Sequence, residues 1–337
     1  PTRPGQVVVI AGEPENYRTA RDGEYAVKAS AMSDGGLAVD PANGLVYFRA
    51  LGNDDPRVQR IERDGRVTIL RVKNWGDQVA IFSDDLWIMS SSRGPWLSRT
   101  TLPTLKETDL INDENGNMVK VLAPSGDPLP SKDLKGLSKY WSDSRFVIRS
   151  DGVPIIVSRA GSLFEAVGPN RLKEWEPEGY EDALRDVSQD KELRPSDVVT
   201  DGKGGIVVLA AGGLLRVAGD GRTQGVRFRA PSGSLPSWSA VLPLDNGSVL
   251  LLGGTSALEP SPRPALVRPN GSIEILSFGG RRACGEFDGS MAVIASANPG
   301  GIAKMPDGSY VMHDGACGRV YRLRLPNRLS GAPVSGK

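Results

Sequence analysis

The stretch SRFVIRSDGVPIIVSR, residues 144–159, decides the fold. Two apolar, β-branched runs of strand length flank Asp151-Gly152, and an Asp-Gly pair supplies the φ > 0 positions of a tight connection. The unit is a hairpin. It recurs as GGLAVDPANGLVYFRA from Gly35, DQVAIFSDDLWIMSS from Asp77, SDVVTDGKGGIVVLAA from Ser196, SAVLPLDNGSVLLLGG from Ser239 and GGIAKMPDGSYVMHDG from Gly300. Most copies continue into a second hairpin: VQRIERDGRVTIL, DLINDENGNMVKVLA, SLFEAVGPNRLKEW, LLRVAGDGRTQGVRF and ALVRPNGSIEILSF. Four strands therefore recur per unit, over blades at 35–72, 78–123, 144–177, 196–229, 239–278 and 300–327.

The last copy supplies only three strands before the chain runs out through a tail at 328–337. At the other end Gln6 to Gly12, QVVVIAG, is a strand with no hairpin partner. Residues 5–12 fit the vacant fourth place, and a first strand paired into the last blade removes the exposed edge that a linear stack would leave. The expected fold is all-β: one six-bladed β-propeller of four-stranded antiparallel blades over 5–327. A repeat of roughly 40 to 70 residues suits one closed array better than several domains. Helical patterning is nearly absent, and 41 Gly with 25 Pro beside 39% apolar residues fit short strands and turns rather than disorder.

Residues 10 to 70 resemble a unit of bacterial NHL-repeat propellers. The likeness lies in an outer strand ending in Ala11-Gly12, in Gly36-Leu-Ala-Val-Asp-Pro41, in the Asn43-Gly44 turn, and in Arg57-Val-Gln-Arg-Ile61 before Asp64-Gly65. It covers nearly the whole chain as a pattern and is sharp in the first and last blades. The resemblance implies six blades and leaves function open, since such propellers serve as binding platforms far more often than as enzymes.

Charge is balanced, with 41 Lys and Arg against 40 Asp and Glu. No global field attracts nucleic acid or an anionic membrane. Steady neutrality argues against the RNA binding known for some animal NHL propellers. No stretch approaches the roughly 20 apolar residues of a membrane span. The chain opens at Pro1 without Met and without an apolar signal core, the pattern expected of a processed piece of a longer product.

Extra residues fall at 13–34, 124–143, 178–195 and 279–299, all connections from an outer strand to the next inner one, and at 92–106 inside the second blade. In a propeller these share one face. The opposite face is expected to carry short turns that offer little shape for recognition. Tyr180 to Leu193 reads as a short helix capping the elaborated rim. Nearly every outer-to-inner connection holds or borders an aromatic: Tyr17, Tyr25, Trp75, Tyr140, Trp141, Tyr180, Trp238 and Phe287, with Trp96 in the second-blade insertion. Such residues either wedge between blades or form an open binding surface, and burial separates the two.

Cys284 and Cys317 both fall at the elaborated face of the sixth blade. A disulfide between them would close a loop of about 33 residues, for which the chain-entropy model gives on the order of 3 to 4 kcal/mol. Two unpaired buried thiols are the alternative. A disulfide would place the chain in an oxidising, secreted or extracytoplasmic setting.

Catalytic signals are weak. Amidating-lyase propellers hold zinc with several histidines, whereas His313 is the one histidine here and reads as a hydrogen-bonded blade residue. Asn112 to Asn117, NDENGN, has ligand-type side chains, but its Gly is misplaced for an EF-hand and it reads as a hairpin turn. Asp40, Asp84, Asp151, Asp201, Asp245 and Asp307 recur in register, which is what capping of a repeated turn demands. Asn246 and Asn270 match a glycosylation pattern but sit at Asn-Gly turns. No resident cofactor is expected, with a calcium-like divalent ion in the channel left as an alternative. The residues point to a non-catalytic recognition module binding a protein or a glycan. Its candidate contacts are Trp96, Tyr140, Trp141, Tyr180, Arg281 and Arg282. A metal-dependent propeller hydrolase, lactonase or lyase is the runner-up.

Overall fold

The computed structural model describes residues 3–13, 18, 20–28, 31, 36–49, 57–74, 76, 78–90, 96–102, 104–112, 119–129, 144–188, 193–228, 238–253, 263–276, 289, 291, 299–315 and 317–330. The fold is all-β, with the six blades of a β-propeller. Strand β1 is Val7–Ala11. Blade 1 holds β2 (Leu37–Val39), β3 (Val46–Arg49), β4 (Arg57–Ile61) and β5 (Val67–Arg71). Blade 2 holds β6 (Gln78–Phe82), β7 (Asp85–Ser90), β8 (Trp96–Thr101) and β9 (Lys106–Asn112). A short β10 (Lys120–Leu122) precedes blade 3, which holds β11 (Arg145–Ile148), β12 (Pro154–Val157), β13 (Leu163–Gly168) and β14 (Arg171–Glu174). Helix α1 (Tyr180–Val187) leads to blade 4, with β15 (Pro195–Thr200), β16 (Ile206–Ala210), β17 (Gly213–Val217) and β18 (Thr223–Arg227). Blade 5 holds β19 (Ala240–Pro243), β20 (Val249–Leu252), β21 (Ala265–Val267) and β22 (Ile273–Ile275). Blade 6 holds β23 (Pro299–Lys304), β24 (Tyr310–Asp314) and β25 (Arg319–Leu323), followed by a one-turn helix α2 (Asn327–Ser330).

The strands group into two compact units: Pro1–Arg71 with Ser237–Lys337, and Val72–Pro236. In the first unit β1 completes blade 6, running antiparallel to β25 from Val7 opposite Leu323 to Ala11 opposite Val320, with a register shift between Val9 and Ala11. Its apolar side joins Leu242, Leu250, Met312, Tyr321 and Leu323 in one buried cluster. Burying each such side chain contributes about 1.5–3 kcal/mol. The segment read as a tail contributes too, because Leu329 is buried in that cluster.

In the second unit the inner strands are laced by side chains. The Gln78 amide donates to the Ser144 carbonyl at 2.8 Å and accepts from the Phe146 N–H at 3.1 Å. Arg145 Nε donates to the Ser196 carbonyl at 3.0 Å. Asn74, almost wholly buried, donates to the Ile88 carbonyl at 2.9 Å and the Ser98 hydroxyl at 3.2 Å, and accepts from the Gly76 N–H at 2.8 Å. A buried amide with its bonds made fixes the entry into blade 2.

The recurring carboxylates cap turns in four of the six copies. Asp40, Asp151, Asp201 and Asp307 each accept the N–H two residues on, at 2.8, 3.2, 2.7 and 3.0 Å. In blade 5 the cap is Asn246, accepting from Ser248 at 2.9 Å, while Asp245 pairs with Lys304 at 2.6 Å.

Two expectations are corrected. Blade 2 ends at Asn112: its outer hairpin is β8–β9, closing at Thr101 opposite Lys106, and 109–123 is not a hairpin. Lys120–Leu122 instead lies parallel to β14 as a fifth strand on blade 3. The Asn112 to Asn117 run falls largely outside the described residues. The helix is confirmed at Tyr180–Val187, but it does not cap a rim in solvent. Tyr180, Ala183 and Val187 are buried, and the helix lies on β17 and β18. Gly213 and Gly225 admit it, since a Cβ on Gly225 would stand 2.8 Å from the Ala183 carbonyl oxygen and one on Gly213 2.9 Å from Val187.

Candidate functional site

Burial sorts the aromatics. Trp96 opens β8, is only 8% exposed, and its indole N–H donates to Asp109 at 2.8 Å, so it belongs to blade 2 and not to an open insertion. Tyr180 is 7% exposed and its hydroxyl donates to the Gly161 carbonyl. Trp238 is buried and donates to the Arg263 carbonyl at 3.0 Å. Trp96 and Tyr180 are therefore withdrawn as open contacts: both rings are buried, and their polar tips are taken by the Asp109 carboxylate and the Gly161 carbonyl. Tyr140, Trp141, Arg281, Arg282 and Cys284 lie outside the described residues, as do Tyr17, Trp75 and Phe287. Cys317 lies between β24 and β25, its N–H donating to Asp314 at 3.3 Å. His313 is fully buried, stacks on Phe48 with ring centres 6.3 Å apart, and its Nε2 lies 2.6 Å from the Ala31 carbonyl oxygen. Among the described residues no group of three or more His, Cys, Asp or Glu could hold a metal ion.

Among the described residues the exposed aromatic is Tyr25, in the connection from β1 to β2. The described part of this segment does not stay with the long connections. It runs down the outer edge of blade 1 to the β4–β5 turn as a strap. The Gly23 N–H donates to the Val67 carbonyl at 2.8 Å, Val67 N–H to Glu24 at 2.8 Å, and Ala26 N–H to Gly65 at 2.9 Å. Asp22 accepts from the Ile69 N–H at 2.9 Å. Arg66 reaches back to the Gly23 carbonyl at 2.7 Å, and its guanidinium lies 4.5 Å from the centre of the Tyr25 ring.

Arg18 staples the strap by a bidentate pair with Glu24, at 2.8 and 2.5 Å. That hydrogen bond, helped by the Arg21 N–H, lowers the Glu24 carboxyl from its ordinary 4.5 to about 2. The depressed value means that the pair's contribution is complete above the ordinary value and is lost as pH falls through 4.5 towards 2. Glu24 is accordingly expected to show an NMR titration midpoint near pH 2. Arg18→Gln should return it towards 4.5, and an unchanged midpoint would break the assignment.

With the strap in place, a cleft of about 560 Å³ opens between blade 1 and blade 6 on the side of the short turns. Its apolar lining comes from Val9 and Ile10 of β1, Tyr25 and Val27 of the strap, Ile61, and Met305 with Pro306. Tyr25 is 44% and Val27 45% exposed. The floor is fixed by the β2–β3 turn: Asn43 accepts the Leu45 N–H at 2.8 Å and donates to the Asp40 carboxylate. Gly44, at φ +74°, sits against Met305 and Pro306, leaving 3.5 Å for a Cβ. The charged rim is the β4–β5 turn with Glu62, Arg63 and Asp64, facing Asp307 and Arg322. Across the Arg63–Asp64 ridge lies a second depression of about 600 Å³, polar, with Asp22, Arg66 and Thr68. Burial of its carboxyl is outweighed at Asp307 by Ser309 and Arg322, which hold it at about 2. The Asp307 carboxylate is thus an anion at neutral pH.

Sequence reasoning placed no site at the turns. The available signal was two large apolar residues, Tyr25 and Val27, in the charged run RDGEYAVK.

No family model matches the chain, and no curated protein sequence does either. Solved structures do. A streptogramin B lyase structure is 12% identical, with TM-score 0.50, over 94% of this chain and 97% of that one. An auxiliary nutrient binding protein from Bacteroides ovatus is 14% identical, with TM-score 0.56, over 94% and 76%. A putative gluconolactonase is 11% identical, with TM-score 0.52, over 94% and 91%. At these identities the likeness shows the fold alone: the chain has the propeller fold of six blades. Among the described residues no helix is long and apolar enough to cross a membrane.

Proposed function

We propose that this chain is a non-catalytic recognition module of the NHL-repeat kind, a single propeller over 5–327 working outside the cytoplasm. The observation that carries the reading is the cleft beneath the strap, where Tyr25 and Val27 stand open beside a charged rim. A concave, mostly apolar site with a few convergent polar groups is the usual form of a ligand pocket. The loop-rich face, with Tyr140, Trp141, Arg281 and Arg282, is the second proposed contact surface, for a protein or glycan partner. The test is recovery of the chain from its native source with its bound material, beside a Val27→Arg variant that fills the cleft with charge. The wild-type chain should carry a defined ligand or partner that the variant loses while keeping its circular-dichroism spectrum. Turnover of lactones or esters on addition of a divalent metal, with nothing retained, would replace this reading by the hydrolase.

The extracytoplasmic placement rests on a proposed Cys284–Cys317 disulfide. Its support is that no free thiol occurs among the described residues and that Cys317 lies in a short strand connection of blade 6. Unfolded but unreduced protein is expected to bind no maleimide, and reduced protein to bind two equivalents. Labelling without reductant would remove both the bond and the compartment argument.

A further inference from the structure

We infer that the cleft between blades 1 and 6 takes a small amphipathic carboxylic acid, its aromatic or aliphatic body against the strap and its carboxylate on Arg63. This rests on the recognition reading and adds the ligand class to it.

Size comes first. About 560 Å³ lies within the range of small-molecule sites, roughly 300–1,000 Å³. Apolar exposure comes second. Six large hydrophobic residues are exposed among those described, and two of them, Tyr25 and Val27, line this one cleft. Leaving them in water forgoes about 25 cal/mol for each Å² that a ligand could cover. Their positions are held by the backbone bonds of the strap, so the wall stands ready before a ligand arrives.

Charge decides the rest. Every carboxylate of the rim already has a cation: Glu62 has Arg60 at 2.6 Å, Asp64 has Arg66 at 3.5 Å, and Asp307 has Arg322 at 2.6 Å and Arg324 at 3.3 Å. Arg63 has none among the described residues, and its one contact is a long 3.4 Å bond to the Asn43 carbonyl. The guanidinium fork is therefore open to a planar two-oxygen partner, the geometry a carboxylate supplies. With each of these carboxylates paired, Arg63 is the one rim charge that has no counter-ion among the described residues, which favours an added anion. The three carboxylates keep that preference to a monoanion, since a phosphate dianion would face Glu62, Asp64 and Asp307 together.

Calorimetric titration of the whole chain with 4-phenylbutyrate and with its neutral amide, 4-phenylbutyramide, tests the assignment. The acid is expected to bind about fivefold or more tightly than the amide at low salt, with the margin shrinking as salt screens an exposed pair. Arg63→Gln, at an exposed turn position, should bring the two within about twofold by weakening the acid alone. Val27→Arg should abolish both. Equal binding of acid and amide, or an unchanged preference in Arg63→Gln, overturns the carboxylate assignment. So does the absence of binding by either at millimolar concentration. If Val27→Arg still loses the native ligand in those cases, the recognition reading stands without this ligand class.

Discussion

Gly12→Ala is expected to cost more than about 4 kcal/mol, beyond the range of ordinary point substitutions. Gly12 closes β1 at φ +94°, and its N–H donates to the Ala26 carbonyl at 3.0 Å as the strap begins. A Cβ there would stand 2.1 Å from the Gly318 carbonyl oxygen and 2.7 Å from the Arg319 Cα. Both obstacles are backbone, so no rotamer change relieves them. The chain must either move β1 off β25 or open the β24–β25 turn. Gly5→Ala is the control: Gly5 also has positive φ, at +80°, but nothing lies within 4 Å of its Cβ position. It should lose only about 1 kcal/mol, the conformational penalty of a left-handed residue. Urea midpoints of the two variants decide the matter, and equal losses would show that the seam between first and last strands yields.

Stability is expected to fall by on the order of 3 kcal/mol between pH 6.5 and 4 through His313. Burial holds the ring neutral, lowering its pKa to about 4 against the opposing hydrogen bond to the Ala31 carbonyl. The sign follows from proton counting. In that window the unfolded chain binds a proton that the folded chain refuses, so acid favours unfolding. The carboxyls with large shifts, Glu24 and Asp307, lie at about 2 in the fold and enter only at the acid end of the window, as pH falls through their ordinary values of 4.5 and 3.8. A single histidine makes the experiment clean. Denaturant midpoints taken across the window should slope for the natural chain and flatten for His313→Gln. A slope that survives the substitution would place the titration elsewhere.

The blades were legible because their code is local. An Asp-Gly or Asn-Gly pair between β-branched runs states a hairpin wherever it occurs, and all six inner hairpins lie where that code puts them. Blade 2 misled for the same reason. Asn115-Gly116 is the stronger turn signal, while the real outer hairpin closes at Thr101 opposite Lys106, between strands as polar as WLSRTT and KETDLIN. Parallel pairing of Lys120–Leu122 with β14 has no local signature, because it depends on where two distant edges come to lie. Rings were misread likewise. Trp96 and Tyr180 look like open aromatics in sequence, and the groups that take their polar tips, the Asp109 carboxylate and the Gly161 carbonyl, lie one strand or loop away. The cleft was the least legible element. Its walls come from residues near positions 10, 26, 44, 63 and 306, which meet only once β1 has joined blade 6.

That joining sets a timetable for biosynthesis. Val7–Ala11 leaves the ribosome long before its partner Arg319–Leu323. At elongation rates of about 5–20 residues per second, the N-terminal segment waits tens of seconds for its mate. Blade 6 and the cleft beside it therefore cannot form until Arg319–Leu323 has emerged, and the nascent chain stays open at that seam until then.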